Sequence, residues 1–470
     1  MIAFPRRVAR RFRAACARCT SGRPRGPAPC VVLRQANGRI TLTATFPEVT
    51  LELACATPPA RGRAEVLVVP LTAIETVGAS TDEPVEFDAG ENLTGAARWA
   101  GPGGPGSVPV TYVLPGKQHE PLPRPEMEPV PAGLLAALHE AGRTSSREDG
   151  RYALSRIQLR GATGQVVATD GKLAVVFGPL AFPFTGDLLI PAVPLFGSPE
   201  VRDEDDVRDE DDVRVGRTDA HLVVSAGDWT VWLSVVPTGK FPDVTAVIPR
   251  HAPTTVALDR GDAADLLPQL PGLPGQGHEL RPVTLCADGV LVVRAGDDAG
   301  AVQEVLLSRS PVTGPAARVA LDRRALARIL ALGCTALRVT PSKALVGTGD
   351  GVTVLAALLD PELIVAPALG GSAVNVPIPT PNPIPDLKRN MTVKSNDTNG
   401  HAHGSRSDPP AGDAPDPLVA AEELRAALAD AATKATRLVA ALKMSRKEQK
   451  VLASVIANLK QLNLGTGEPR

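Results

Sequence analysis

The sequence predicts an α+β protein of three tandem domains, each with two helices packed on antiparallel sheets, then a disordered linker and a C-terminal helical hairpin. Three observations lead there. A pattern of short strands and two helices recurs three times. Its apolar landmarks fall at Leu42, Val167 and Leu291, and again at Leu67, Leu188 and Val319, with spacings of 125, 124, 121 and 131 residues. That period is too long for a solenoid repeat and fits domains of ordinary size. After about residue 365 the pattern stops, and a polar Pro- and Gly-rich stretch gives way to a heptad-like apolar stripe. The expected boundaries are 1–125, 126–250 and 251–365 for the three domains, 366–416 for the linker and 417–464 for the hairpin.

In the first domain, Phe4, Val8, Phe12, Ala15 and Cys16 recur near helical spacing, which predicts a helix over residues 5–19. A hairpin follows. Val31–Leu33 and Ile40–Ala44 flank Asn37-Gly38, a pair suited to the positive backbone angles of a tight turn. Strands are expected at Val49–Leu53, Val66–Val69, Val85–Phe87 and Val110–Leu114, with a short helix at Pro70–Val77. Gly101–Gly106 reads as a flexible turn.

The second domain opens with an apolar helix over residues 130–141. Its strands are expected at Leu154–Leu159, Val166–Ala168, Ala174–Phe177, Leu188–Ile190, Val213–Val215, Leu222–Ser225 and Val231–Val235, with a short helix at Pro191–Phe196. The acidic run Val201–Asp206 is repeated at once as Val207–Asp212. It lacks the order of a calcium loop and reads as a solvated connection. In the third domain Asp259 is placed to cap a helix ending at Leu267. Strands at Thr284–Cys286, Val290–Arg294, Val305–Ser308, Ala317–Ala320, Leu337–Thr340, Leu345–Gly347 and Val352–Leu355 surround a second helix, Asp322–Leu332.

The C-terminal segment starts at Asp416-Pro417, a cap followed by proline at the first helical position. Leu424, Leu428, Ala431, Ala435, Leu438 and Leu442 step by four and three. Ser445 and Glu448 match a capping box and begin the second arm. His401 and His403 lie in the linker and form no site.

Composition narrows the function. The chain is 43% hydrophobic but only 3% aromatic, so its cores rest on Leu, Val and Ala. The formal net charge of −1 hides an acid-free basic block: Arg6, Arg7, Arg10, Arg11, Arg13, Arg18, Arg23 and Arg25 all lie within residues 1–30. Such a block is a candidate phosphate surface. Six cysteines do not make a disulfide framework. Cys16 and Cys19 form one CxxC with neither a second close pair nor a nearby His, so reduced thiols rather than a metal site are expected. No phosphate loop, nucleophile elbow or zinc-protease motif occurs, and no cofactor or enzymatic activity is expected. The longest apolar run, Val352–Leu369, is broken by Asp360, Pro361 and Glu362, and the basic start lacks a signal peptide's apolar core. A soluble cytoplasmic protein without a membrane partner is therefore expected.

Arg151-Tyr152-Ala153-Leu154, Ala168-Thr169-Asp170-Gly171 and Gly239-Lys240-Phe241-Pro242-Asp243, in that order and spacing, resemble the middle domain of the bacterial DNA polymerase III beta subunit, the sliding clamp. Ser21-Gly22-Arg23-Pro24 and Gly38–Phe46 resemble its first domain, and the third matches by pattern. The resemblance implies three DNA-clamp domains and a head-to-tail homodimer. It implies a ring around double-stranded DNA, contacted without regard to sequence, and a processivity factor for DNA polymerase and other clamp-binding proteins. A clamp loader would be a further partner.

The resemblance places Arg23 and Tyr152 near DNA, beside Arg7, Arg10, Arg11 and Arg25 of the basic block. It implies a pocket for partner peptides of Gln-Leu-x-Leu-Phe character, built from Leu154, Thr169, Gly171, Leu173, Pro242 and Val247, with Leu358 from the altered chain-end wall. Two departures touch that pocket. Ala356-Ala357-Leu358-Leu359 stands where Met-Pro-Met-Arg is usual, and Lys172 alone replaces His-Arg after Asp-Gly. A paralogue or scaffold that serves another partner through the C-terminal hairpin is the alternative. Gln461-Leu462-Asn463-Leu464-Gly465 resembles a partner peptide without its final aromatic residue, but reads more simply as a helix end.

Overall fold

The computed structural model describes residues 1–367 apart from 21–27, 57–63, 91, 102–103, 132, 148–151, 203–212, 237–240 and 342. The chain divides into two units, Met1–Thr380 and Pro381–Arg470, and every described residue belongs to the first. The expected hairpin, nearly all of the linker and most of the acidic run lie outside the described residues.

The described chain repeats one topology three times, and each repeat contains two four-stranded antiparallel ladders. In the first repeat one ladder runs Glu65–Pro70, Cys30–Ala36, Arg39–Thr45, Val49–Ala56; the other runs Gly104–Thr111, Thr94–Gly101, Pro84–Ala89, Ile2–Pro5. In the second, the same places are taken by Asp187–Pro191, Arg156–Arg160, Gln165–Thr169, Leu173–Phe177 and by Trp229–Ser234, His221–Ala226, Val213–Arg217, Glu128–Pro129. In the third they are taken by Ala317–Asp322, Pro282–Asp288, Val290–Gly296, Val302–Thr313 and by Val352–Ala357, Ala344–Gly349, Ala336–Thr340, Thr254–Ala257. Leu42, Val167 and Leu291 sit on equivalent strands, as do Leu67, Leu188 and Val319.

Strand pairing also joins the repeats. Val49–Ala56 pairs with Trp229–Ser234, with Leu51 opposite Val231. Leu173–Phe177 pairs with Val352–Ala357, with Val175 opposite Val354. The first joint makes a continuous sheet of eight strands; the second, with the pairing of Thr254–Ala257 to the end of Val302–Thr313 inside the third repeat, makes one of twelve.

Each repeat carries two helices: α1 (Arg6–Cys16) and α2 (Leu71–Val77), α3 (Gly133–Thr144) and α4 (Pro199–Arg202), α5 (Arg260–Leu266) and α6 (Arg323–Ala331). Helix α1 buries Val8, Ala9, Phe12, Ala15 and Cys16, the stripe that its periodicity predicts. Asp259 caps α5, accepting from the N–H groups of Gly261 at 2.9 Å and Asp262 at 3.1 Å; Asp322 caps α6 through the Arg324 N–H at 2.8 Å. The turn Asn37-Gly38 has φ of 51° and 73°, as the sequence requires.

Two expectations need correction, and one strand went unforeseen. Gly101–Gly106 is not one flexible turn, because a strand runs to Gly101 and another resumes at Gly104. The strand Thr94–Gly101 has small residues with no clear alternation, so its sequence hides it. The helix expected at Pro191–Phe196 is displaced: Asp187–Pro191 stays in a strand, a single 3₁₀ turn covers Pro194–Gly197, and α4 follows. Proline at 191 and 194 reads equally well as a strand end or a helix start.

One core runs through all three repeats. At the first joint the rings of Phe12 and Trp229 stack 6.4 Å apart, and the Trp229 indole N–H donates to the Glu200 carbonyl at 2.7 Å. At the second, the Arg328 guanidinium on α6 pairs with the Glu140 carboxylate on α3, and reaches the Glu140 carbonyl at 3.1 Å and Thr144 Oγ1 at 3.2 Å. Burial pushes the Glu140 carboxyl up, but the hydrogen bond and charge of Arg328, with Arg143 and His139, outweigh it and hold the pKa below the ordinary carboxylate value. A depressed folded-state pKa gives stability that is full above the unfolded value of about 4.3 and lost as pH falls through the folded one. Glu140→Gln should therefore lower stability by about 1–2 kcal/mol at neutral pH and flatten part of the loss below about pH 5. Denaturant unfolding of both proteins across pH checks this.

Candidate functional site

A groove of about 290 Å³ lies where the second and third repeats meet. Its first wall is the turn after Gln165–Thr169. Thr169 Oγ1 accepts from the Gly171 N–H at 3.0 Å and donates to the Leu173 carbonyl at 2.8 Å. Asp170 Oδ1 accepts from the N–H groups of Lys172 at 2.8 Å and Leu173 at 2.7 Å. Gly171 has φ of 91°, a conformation that side chains disfavour. Threonine, aspartate and glycine thus fix this turn through their own chemistry.

The second wall is Pro242–Val247. Asp243 Oδ1 accepts from Thr245 Oγ1 at 2.7 Å, from the Thr245 N–H at 3.1 Å and from the Ala246 N–H at 3.3 Å, and Arg160 approaches at 3.4 Å. The Thr245 hydroxyl first, then these amides and Arg160, hold the Asp243 carboxyl below its ordinary pKa. The short turn it caps leaves Val247 61% exposed beside the groove. Below lies a small separate core of Val167, Ala174, Val176 and Val244, packed with Phe241 and Leu355. Leu355, Ala357, Lys343 and Ala344 complete the lining from the third repeat, brought there by the pairing of Leu173 with Ala356 and Ala174 with Leu355. The result is an apolar trough with charged Lys172, Asp243 and Lys343 in its lining.

Thr169, Gly171, Leu173, Pro242 and Val247 all line this groove. Leu154 stands behind it, where a Cβ on Gly171 would meet its Cδ1 at 3.8 Å. Leu358 lines instead a neighbouring cavity of about 480 Å³ with Arg324, Arg328 and Leu359; the two share Lys172, Leu173 and Ala357. Ala357, from the quoted chain-end segment, does line the groove; sequence reasoning missed Val244, Lys343, Ala344 and Leu355. Val244 and Leu355 adjoin quoted segments, while Lys343 and Ala344 come from a stretch without a motif.

The basic block is divided by the fold. Arg7, Arg10, Arg13 and Arg18 are exposed, Arg7 paired with Asp82 and Arg10 with Ser80. Arg11 leans into the first joint, 6.0 Å from the centre of the Trp229 ring and 3.4 Å from the Glu200 carbonyl. Arg6 is half-buried beneath α1, bonded to the Val77 carbonyl and Glu83 and 4.5 Å from the centre of the Trp99 ring. Tyr152 is 46% exposed. Arg23 and Arg25 lie outside the described residues. Arg13 and Arg18, unassigned from the sequence, share the exposed character of Arg7 and Arg10.

Among the described residues no cluster of His, Cys, Asp and Glu can hold a metal ion, and no helix is long and apolar enough to cross a membrane. Cys16 and Cys19 are buried; burial pushes Cys16 well up and Cys19 to about 12. Their thiolates are scarce at neutral pH, so both are inert. Alkylation of native protein near pH 8 should label half-exposed Cys30 first and leave Cys16 and Cys19 unmodified until denaturant is added. Peptide mass mapping checks the order.

This is the sliding-clamp fold. The chain is similar in structure to bacterial DNA polymerase III beta subunits. The DNA polymerase III subunit beta of Pseudomonas aeruginosa superposes with a TM-score of 0.60 at 17% identity, covering 76% of this chain and 99% of that one. A DNA polymerase III beta subunit from Eubacterium rectale gives 0.61 at 13% identity, with 76% and 98% covered. The Helicobacter pylori beta clamp bound to a DNA ligase peptide gives 0.58 at 12% identity, with 76% and 99% covered. No family model matches the sequence, and no curated protein matches it.

Proposed function

We propose that this protein is a non-enzymatic sliding clamp that encircles duplex DNA and tethers DNA polymerase or other replication and repair proteins. The observation that carries the reading is the way the repeats are joined. Val49–Ala56 and Leu173–Phe177 occupy the same place in their ladders and pair with Trp229–Ser234 and Val352–Ala357, which also occupy equivalent places. The third pair of equivalents, Val302–Thr313 and Gly104–Thr111, belongs to opposite ends of the three-repeat chain. Among the described residues, Gly104–Thr111 ends its sheet, and Val302–Ser310 has no second strand beyond Val290–Gly296. A second copy placed head to tail would join both pairs and close six repeats into a ring. The domains would span 1–125, 126–250 and 251–365.

Arg7, Arg10, Arg23, Arg25 and Tyr152 would face DNA, with Arg11 of the same helix turned toward the first joint, and arginines that hold phosphate without reading bases permit sliding. Partner peptides would lie in the groove of Thr169, Gly171, Leu173, Pro242 and Val247, with Leu154 behind it and Leu358 beside it. A clamp loader would open the ring, and the cytoplasm is its expected place. The Helicobacter pylori clamp, bound to a DNA ligase peptide, supports a peptide-binding role in this fold. Lys172 and Ala357 in the groove favour one second reading: a clamp paralogue whose partner differs from the replicative polymerase.

Topology is testable. With a clamp loader, the protein should load on nicked circular DNA, resist salt and fall off when the circle is cut. Retention that survives cutting but is lost in salt would overturn encirclement. Val247→Glu should weaken a fluorescent Gln-Leu-x-Leu-Phe peptide at least about tenfold with unchanged melting, since it sets a charge against an apolar trough. Equal anisotropy curves would remove the groove as the peptide site.

A further inference from the structure

The edge that would close the ring differs from both edges already joined inside the chain. Tyr112 donates its N–H to the Leu93 carbonyl at 2.7 Å, and in the ladder that follows Thr111 lies opposite Thr94 and Val110 opposite Gly95. Antiparallel pairing alternates, so even-numbered residues of Gly104–Thr111 turn their N–H groups inward to Thr94–Gly101. The odd-numbered residues turn theirs to the open side. Those are Pro105, Ser107, Pro109 and Thr111, all exposed. Proline has no N–H, so two of the four outward positions have no donor.

The equivalent strands at the internal joints, Trp229–Ser234 and Val352–Ala357, contain no proline, and neither do their partners Val49–Ala56 and Leu173–Phe177. On the opposite open edge the one proline of the strand, Pro311, lies past the regular register, which runs from Val302 to Leu307. Asp297 donates to the Ala301 carbonyl at 3.1 Å, which by the same alternation turns Val302, Glu304 and Leu306 outward. Leu306 there is 51% exposed, and Val113 and Leu114, just past the proline-bearing strand, are 37% and 68% exposed. Apolar side chains at both open edges suit contact with a second copy. The prolines oppose a continuous ladder.

We infer that a second copy of this chain docks on Gly104–Thr111 through a ladder interrupted at Pro105 and Pro109, which makes this the weak joint of the ring. The inference rests on the clamp reading above. Two carbonyls of the incoming strand face proline instead of an N–H, and their lost hydrogen bonds are not replaced. Apolar contact through Leu306 then carries a larger share of the joint, which opens while the two internal joints hold. The ring exchanges subunits and reaches circular DNA without the full assistance a tight joint would need.

The experiment measures the dimer dissociation constant of the full chain by sedimentation velocity over a dilution series. The double variant Pro105→Thr, Pro109→Val should tighten the dimer at least about tenfold, the scale of two restored hydrogen bonds. Ser107→Pro, which removes a third donor, should loosen it by severalfold. All three substitutions lie on an exposed edge, and thermal melting at a concentration where the chain is monomeric verifies the fold. Leu306→Glu should abolish the dimer. If the chain dimerises but neither proline variant moves the constant, the weak joint is overturned and the clamp reading stands. If the dimer survives Leu306→Glu undiminished, it uses another surface and the inference falls. If no variant dimerises at any concentration, the ring itself is overturned, and this inference with it.

Discussion

An open strand must find partners for its backbone N–H and C=O groups, and this protein is organised by how it meets that demand. Within each repeat one edge strand stands ready at each side. Twice the next repeat supplies the complementary edge, and sheets continue across the joint from Leu51 to Val231 and from Val175 to Val354. Side chains then lock what the backbone has aligned: Phe12 on Trp229 at the first joint, Arg328 on Glu140 at the second. Residues far apart in sequence are thereby held in one rigid neighbourhood.

The candidate peptide groove is a product of the second joint. Its turn is self-sufficient, because Thr169, Asp170 and Gly171 satisfy one another locally. Its floor is not, because Leu355 and Ala357 reach it only after Val352–Ala357 has paired with Leu173–Phe177. A change at the joint therefore reaches the groove without touching a groove residue. The basic helix is shaped by the first joint in the same way. Arg11 is drawn toward Trp229 and Glu200, while Arg7, Arg10 and Arg13 stay outside.

Much of the fold was legible because its signals are local. The stripe of Val8, Phe12, Ala15 and Cys16 predicts the buried face of α1, Asn37-Gly38 the first hairpin and Asp259 the cap of α5. Thr94–Gly101 was illegible because its mostly small residues have no alternation to display. Among groove residues, Thr169 to Leu173 and Pro242 to Val247 belong to recognisable stretches. Lys343 and Ala344 come from a third, distant stretch without a motif, and Leu358 falls in the next cavity because the strand register ends just before it.

Spacing along the chain is enough to set the kinds of elements, their threefold recurrence, the acid-free basic block and the tight turn at Asp170-Gly171. These depend on spacing and on local backbone preference, which neighbours along the chain decide. Which edges pair, which arginines remain outside, and that Pro105 and Pro109 turn toward the open side emerge only once the chain has folded. Those depend on register, and a shift of one residue would have turned both prolines inward.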